Sequence, residues 1–124
     1  MDLRLLIVDD NADFLRAARD LLQQEGIAVV AVASTGAEAV ERCAELRPDA
    51  VLVDVDLGEE SGLDVAIGLV QASSGAAPPV VLISTYAEQD VHDLIDTSPA
   101  VGFLSKANLS GTAIRTLLAL AGPR

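Results

Sequence analysis

The sequence predicts an α/β fold in which a parallel sheet of five strands is covered by helices on both faces. Three observations carry this. Five short apolar runs alternate with stretches whose apolar residues recur at helical spacing, the order that builds a parallel sheet. The runs are nearly unbroken in Val, Leu, Ile and Ala, as strands buried on both faces require. Hydrophobic residues make up 51% of the chain but aromatics only 2%, so the core must be aliphatic, which suits a sheet under Ala-rich helices. At 124 residues the chain is read as one domain, 1–124. A chain of that size buries roughly two-thirds of its unfolded surface without disulfides or a structural metal.

The first strand is LRLLIV (3–8), which stops at Asp9-Asp10. Asn11 is a plausible cap for the helix ADFLRAARDLLQQEG, and Gly26 is its stop. IAVVAVAS (27–34) is the second strand, and GAEAVERCAELRP a helix ended by Pro48. AVLVD (50–54) is the third strand. Beyond an acidic loop, GLDVAIGLVQA (62–72) reads as a helix weakened by Gly68. SSGAAPP is turn material leading into VVLIS (80–84), the fourth strand. AEQDVHDLIDTS (87–98) is read as a short polar helix, AVGFLSK (100–106) as the fifth strand and LSGTAIRTLLALAG (109–122) as the last helix. No linker, repeat or low-complexity segment interrupts the pattern.

Eight basic against nineteen acidic residues give a net charge of −11. A field of that sign opposes nucleic acid and anionic lipid and favours cations and basic surfaces. No apolar run approaches the length of a membrane span, and MDLRLLIVDD lacks the layout of a signal peptide. The expectation is a cytoplasmic protein that binds neither nucleic acid nor membrane directly. Cys43, the single cysteine, reads as a small apolar helix residue, and His92 as a solvated side chain.

In doubly wound sheets, function gathers at the carboxyl ends of the strands. Those ends here are Asp9-Asp10, Ser34-Thr35, Asp54, Ser84-Thr85 and Lys106. Singly, each has an ordinary explanation: Asp9 and Asp10 could cap a helix, Ser84 could be a turn hydroxyl and Lys106 a surface cation. Together they place three carboxylates, a hydroxyl and an ammonium on one edge. Clustered carboxylates raise one another's pKa or demand a cation. Oxygen ligands without His or Cys suit Mg²⁺, which takes one or two carboxylates plus phosphate oxygens. Phosphoryl transfer needs this equipment, and a carboxylate can be its nucleophile.

These residues resemble the receiver domain of two-component response regulators over essentially the whole chain. The likeness rests on the acidic pair Asp9-Asp10, on Asp54 after an apolar strand and on Gly62 eight residues beyond it. It rests also on Ser84 after Pro79 and a hydrophobic strand, and on Phe103 three residues before Lys106. The separations are 44 from Asp10 to Asp54, 30 to Ser84 and 22 to Lys106. The resemblance implies the flavodoxin-like receiver fold with strand order 2-1-3-4-5. It implies that Asp54 accepts a phosphoryl group from a histidine kinase or a histidine phosphotransfer protein. Asp10 and Asp54 would hold Mg²⁺ directly, Asp9 through water, and Asp56 through its backbone carbonyl. Lys106 would pair with the phosphoryl oxygens, and Ser84 would turn inward to the new phosphate. Phe103 would follow Ser84, remodelling the face made by the fourth helix, fifth strand and fifth helix. On this reading the protein is a switch rather than an enzyme. It would signal to a downstream protein partner, either as a stand-alone receiver or as one cut from a missing output domain.

Three further readings accompany the resemblance. Strand alternation sends Ser84 and Thr85 to opposite faces, and the family spacing selects Ser84. Leu57-Gly58 and Lys106-Ala107 stand where the family often has Met-Pro and Lys-Pro, which leaves loop shape and rates open, and the acidic GEES (58–61) would add repulsion beside the phosphate. Asn11, Leu15, Ala18 and Leu22 share a helical face that would dock the phosphoryl donor, unless Leu15 and Leu22 are core residues. A rival likeness, to haloacid-dehalogenase-type phosphatases through LVDVDLG, leaves Asp9-Asp10 unexplained.

Overall fold

The computed structural model describes residues 3–72, 78–85 and 98–120. Five strands form one sheet: β1 (Arg4–Val8), β2 (Ala28–Ala33), β3 (Ala50–Asp54), β4 (Val80–Ser84) and β5 (Gly102–Ser105). Their order is β2-β1-β3-β4-β5, and every pairing is parallel. The chain moves outward from β1 to β2 and then returns to lay β3 on the other side. The crevice of the fold therefore opens between the ends of β1 and β3. Four helices lie among the described residues: α1 (Ala12–Gln24), α2 (Gly36–Leu46), α3 (Gly62–Ala72) and α4 (Gly111–Leu120). The helix expected over 87–98, with His92, falls outside the described residues apart from Ser98.

Burial explains why the strand runs read as they do. All five residues of β3 and of β4 are buried, because each strand has a neighbour on both edges and helices on both faces. The edge strands β2 and β5 are mixed. Alternate residues feed two separate cores. Leu6, Val8, Val51, Val53, Val80, Leu82 and Phe103 pack with Ala39 and Cys43 of α2 and with Val65, Ala66 and Leu69 of α3. Leu5, Ile7, Ala50, Leu52, Val81 and Ile83 pack on the other face with Ala18 and Leu22 of α1 and Ile114 of α4.

Local chemistry sets the helix ends. The Asn11 side chain accepts the Phe14 N–H at 3.1 Å and starts α1. Gly26, at φ +83°, ends it, with the Ile27 N–H on the Leu22 carbonyl at 2.9 Å and the Gly26 N–H on that of Gln23 at 3.2 Å. That paired closure is the left-handed cap glycine favours. α2 stops at Leu46, one residue before the point that a break at Pro48 alone would allow. The residue preceding a proline is pushed out of the right-handed helical region, and Arg47 turns to φ 46°.

Four expectations are adjusted. The fifth strand is shorter than 100–106, because Lys106 already opens a 3₁₀ turn, Lys106–Asn108. α4 begins at Gly111, where the Ser110 hydroxyl accepts the Ala113 N–H at 3.0 Å. The acidic loop is not irregular: Asp56–Leu57 and Glu60–Ser61 pair as a small antiparallel hairpin turned by Gly58 at φ +73°. The proposed docking face is mostly core, since Ala18 is 3% and Leu22 0% exposed. Only Asn11 and, in part, Leu15 of that row reach the surface.

Candidate functional site

The alternation that splits the core also assembles the site. Asp9 continues the row of Leu5 and Ile7, and Asp54 the row of Ala50 and Leu52, while Lys106 lies two residues past Leu104. All three rows belong to the face covered by α1 and α4, so three side chains from three strand ends converge. Ser84 continues the opposite row, Val80 and Leu82, and reaches the same edge from the other side. A cleft of about 250 Å³ is lined by Asp9, Asp10, Asn11, Asp54, Asp56, Gly58, Ser84, Thr85 and Lys106. A larger cavity of about 820 Å³, bordered by Leu3, Asp49 and Pro79, lies at the opposite edge, where the strands begin. Its walls are mainly apolar, whereas the carboxylates and the lysine line the smaller cleft.

Lys106 is the hub. Its Nζ lies 2.6 Å from Asp9 Oδ2 and 3.0 Å from Asp54 Oδ2. The Asp54 contact is a directed hydrogen bond. The Asp9 contact is the shorter of the two, a close ion pair to a fully buried carboxylate oxygen. The remaining oxygens are held by backbone: Asp9 Oδ1 accepts the Asn11 N–H at 2.9 Å and Asp54 Oδ1 the Asp56 N–H at 3.1 Å. Asp9, Asp10 and Asp54 each offer an oxygen within 4.8 Å of the others.

Two carboxylates share one ammonium, and the pKa shifts show it. Burial, with repulsion from Asp9, raises the Asp54 carboxyl above its ordinary value despite the Asp56 N–H and Lys106. Burial alone would lower Lys106, but its bonds to Asp9 and Asp54 outweigh it and hold the ammonium above its ordinary value. Burial thus sets the direction for Asp54, and the two carboxylates set it for Lys106. A cluster of carboxylate oxygens without His or Cys is chemically suited to a small hard cation.

Gly62 fixes where Asp54 sits. A Cβ at Gly62 would overlap the Asp54 carbonyl oxygen and lie 2.6 Å from Val55 Cα. The bare backbone lets α3 start directly against the end of β3, with the Gly62 N–H on the Val55 carbonyl at 2.9 Å.

A family model described as the response regulator receiver domain matches residues 5–117. The chain belongs to the response regulator receiver domain family. The same match overturns the phosphatase likeness. Among its relatives, a protein-glutamate methylesterase/protein-glutamine glutaminase of Archaeoglobus fulgidus is 34% identical over 106 residues, covering 84% of this chain and 30% of that protein. The transcriptional regulatory protein PdtaR of Mycobacterium tuberculosis is 29% identical over 103 residues, 83% of this chain and 49% of its own length. The chain therefore spans half or less of these relatives. Among solved structures, it is similar to the N-terminal domain of a response regulator/sensory box/GGDEF three-domain protein from Carboxydothermus hydrogenoformans. That likeness has a TM-score of 0.75 and 29% identity and covers 95% and 92% of the two chains.

In this receiver most of the residues expected at the site do meet. Asp9, Asp10, Asp54, Asp56, Ser84 and Lys106 line one cleft. Ser34 and Thr35 do not; Thr35 caps α2 through the Glu38 N–H, and Ser34 donates to Glu38. Thr85 also borders the cleft, exposed where Ser84 is buried. Alternation does not part the two, because β4 ends at Ser84 and Thr85 lies past it at the mouth of the cleft. Phe103 is buried, paired in register with Leu82 two residues below Ser84. Gly58 of GEES borders the cleft, but Glu59 and Glu60 do not line it, and Glu60 accepts the Gly36 N–H at the start of α2, at 2.9 Å. Phe14, unmarked in the sequence beyond its helical spacing, puts its ring 4.1 Å from Lys106 Nζ.

Proposed function

We propose that this receiver is a phosphoacceptor switch in which Asp54 takes a phosphoryl group from a histidine kinase or histidine phosphotransfer protein. The observation that carries this is Asp54 itself. It is a buried carboxylate at the crevice, 3.0 Å from the Lys106 ammonium and grouped with Asp9 and Asp10. An Asp54 oxygen attacks the phosphorus of a donor phosphohistidine. A P–O bond forms, the P–N bond breaks and the imidazole nitrogen leaves with its electron pair. Mg²⁺, when bound by Asp9, Asp10, Asp54 and the Asp56 carbonyl, supplies charge to offset that of the transferring group.

The chain's own residues do the rest. The Asp56 N–H holds one Asp54 oxygen, which orients the other. Lys106 hands its hydrogen bond from Asp54 to a phosphoryl oxygen without leaving the cleft. The new group brings roughly −1.5 to −2 charges and three acceptors, to which the Ser84 hydroxyl turns. Phe103 follows into the vacated space, and the face around β5 changes for a downstream partner or output domain. In this reading Asp56 gives only its backbone carbonyl and no side chain activates water, so the phosphate is expected to be lost slowly. The test is intact mass after incubation with acetyl phosphate and Mg²⁺. One phosphate should be gained by the wild type and none by Asp54→Asn; a fully labelled Asp54→Asn would reassign the site.

A further inference from the structure

Lys106 is the only lysine in the chain, and Phe14 is one of three aromatic residues. Their meeting is specific. The ammonium has Asp9 and Asp54 on its acidic side and the Phe14 ring 4.1 Å from ring centroid to Nζ. The lysine side chain is only 12% exposed, so carboxylates and ring together replace most of its water. The ring is not free to drift. Phe14 packs against the core beneath α1 and α4, and its N–H is the one fixed by the Asn11 cap.

We propose that Phe14 is a positioning residue for phosphoryl transfer, holding the Lys106 ammonium over the Asp9–Asp54 pair through the face of its ring. The inference rests on the phosphoacceptor reading and deepens it. An aromatic face attracts a cation through its quadrupole. Unlike a third carboxylate, it adds no charge to an acidic site that must receive a phosphoryl group. The attraction is also tolerant of where the ammonium hydrogens point. Lys106 can therefore exchange Asp54 Oδ2 for a phosphoryl oxygen while staying over the ring. Without the ring, water reaches the ammonium and the flexible four-carbon stem regains rotamers that leave the cleft.

The experiment compares wild type, Phe14→Tyr, Phe14→Leu and Phe14→Met, the last as a second non-aromatic filler should Leu fail to fold. Protein labelled with [¹⁵N]lysine carries one side-chain ammonium, so its NMR signal reports Lys106 alone. That signal should be present in the wild type and in Phe14→Tyr, and broadened or moved to the free-lysine position in the folded non-aromatic variant. The initial rate of mass gain with acetyl phosphate and Mg²⁺ should fall roughly two- to fivefold in that variant and recover in Phe14→Tyr, on the scale of a cation–π contact. The Mg²⁺ midpoint should not move. An unchanged ammonium signal and rate in the non-aromatic variant would overturn the proposal, as would equal losses in Tyr and Leu, which would make the ring packing alone. Should the wild type gain no phosphate, the phosphoacceptor reading fails, while the ammonium signal still decides whether the ring holds Lys106.

Discussion

Gly62→Ala tests the link between the fold and the placement of Asp54. The added methyl would overlap the Asp54 carbonyl oxygen and lie 2.6 Å from Val55 Cα, where carbon atoms normally rest about 3.5–4.0 Å apart. Backbone cannot swing aside as a side chain does, so α3 and the end of β3 must part by about 1 Å. Overpacking of this kind costs about 1–3 kcal/mol, and losing the Gly62 N–H bond to Val55 adds about 1 kcal/mol. For 124 residues at about 2.1 cal/mol/K each, the unfolding entropy is about 0.26 kcal/mol/K. A loss of about 2–4 kcal/mol then lowers Tm by about 8–15 °C. Circular dichroism melts measure this, and mass gain with acetyl phosphate should slow at a temperature where the variant is folded. Gly68→Ala is the control. Among the described residues nothing lies within 4 Å of its Cβ position, so helix propensity should raise Tm by about 2–4 °C. A Gly62→Ala protein that melts within about 2 °C of wild type and labels at its rate would refute the argument.

Mg²⁺ at about ten times its Kd should stabilise the wild type by about 1.4 kcal/mol, or about 5 °C in Tm, and Asp10→Ala much less; equal shifts would place the ion elsewhere. The raised Asp54 carboxyl favours its protonated form in the fold, so this group's stabilisation is lost as pH rises from the ordinary carboxylate value through the raised one. In EDTA, Asp54→Asn should therefore melt above the wild type at neutral pH and converge with it in acid; a lower Tm at neutral pH would mean that the Lys106 bond outweighs burial and Asp9. Ser84→Ala should still be labelled at Asp54 but show smaller phosphorylation-induced NMR shifts around Phe103, whereas Thr85→Ala should keep them; the opposite pattern would make Thr85 the reporting hydroxyl.

The sequence by itself determined the architecture and the strand ends that supply most of the cleft, although the same rule also collected Ser34 and Thr35, which only cap α2. β3 and β4 are legible because strands covered on both faces must be apolar throughout, a pattern that needs no knowledge of neighbours. The strand-end rule then collects Asp9, Asp10, Asp54, Ser84 and Lys106 from positions alone, although the order of strands came only from resemblance. Other features depended on contacts between residues far apart in the chain, which leave no local period. That Lys106 joins both Asp9 and Asp54 follows from the sheet order, which gathers the ends of β1, β3 and β5 at one edge, and Phe14 faces it from the start of α1. Glu60 is one acidic letter in GEES until the fold brings Gly36 to it across 24 positions. The two-residue hairpin around Gly58 is too short to show alternation. Ala18 and Leu22 share a helical face with Asn11, but only the sheet beneath α1 decides that they are core. Periodicity tells which faces are apolar; what each face meets is decided by tertiary packing.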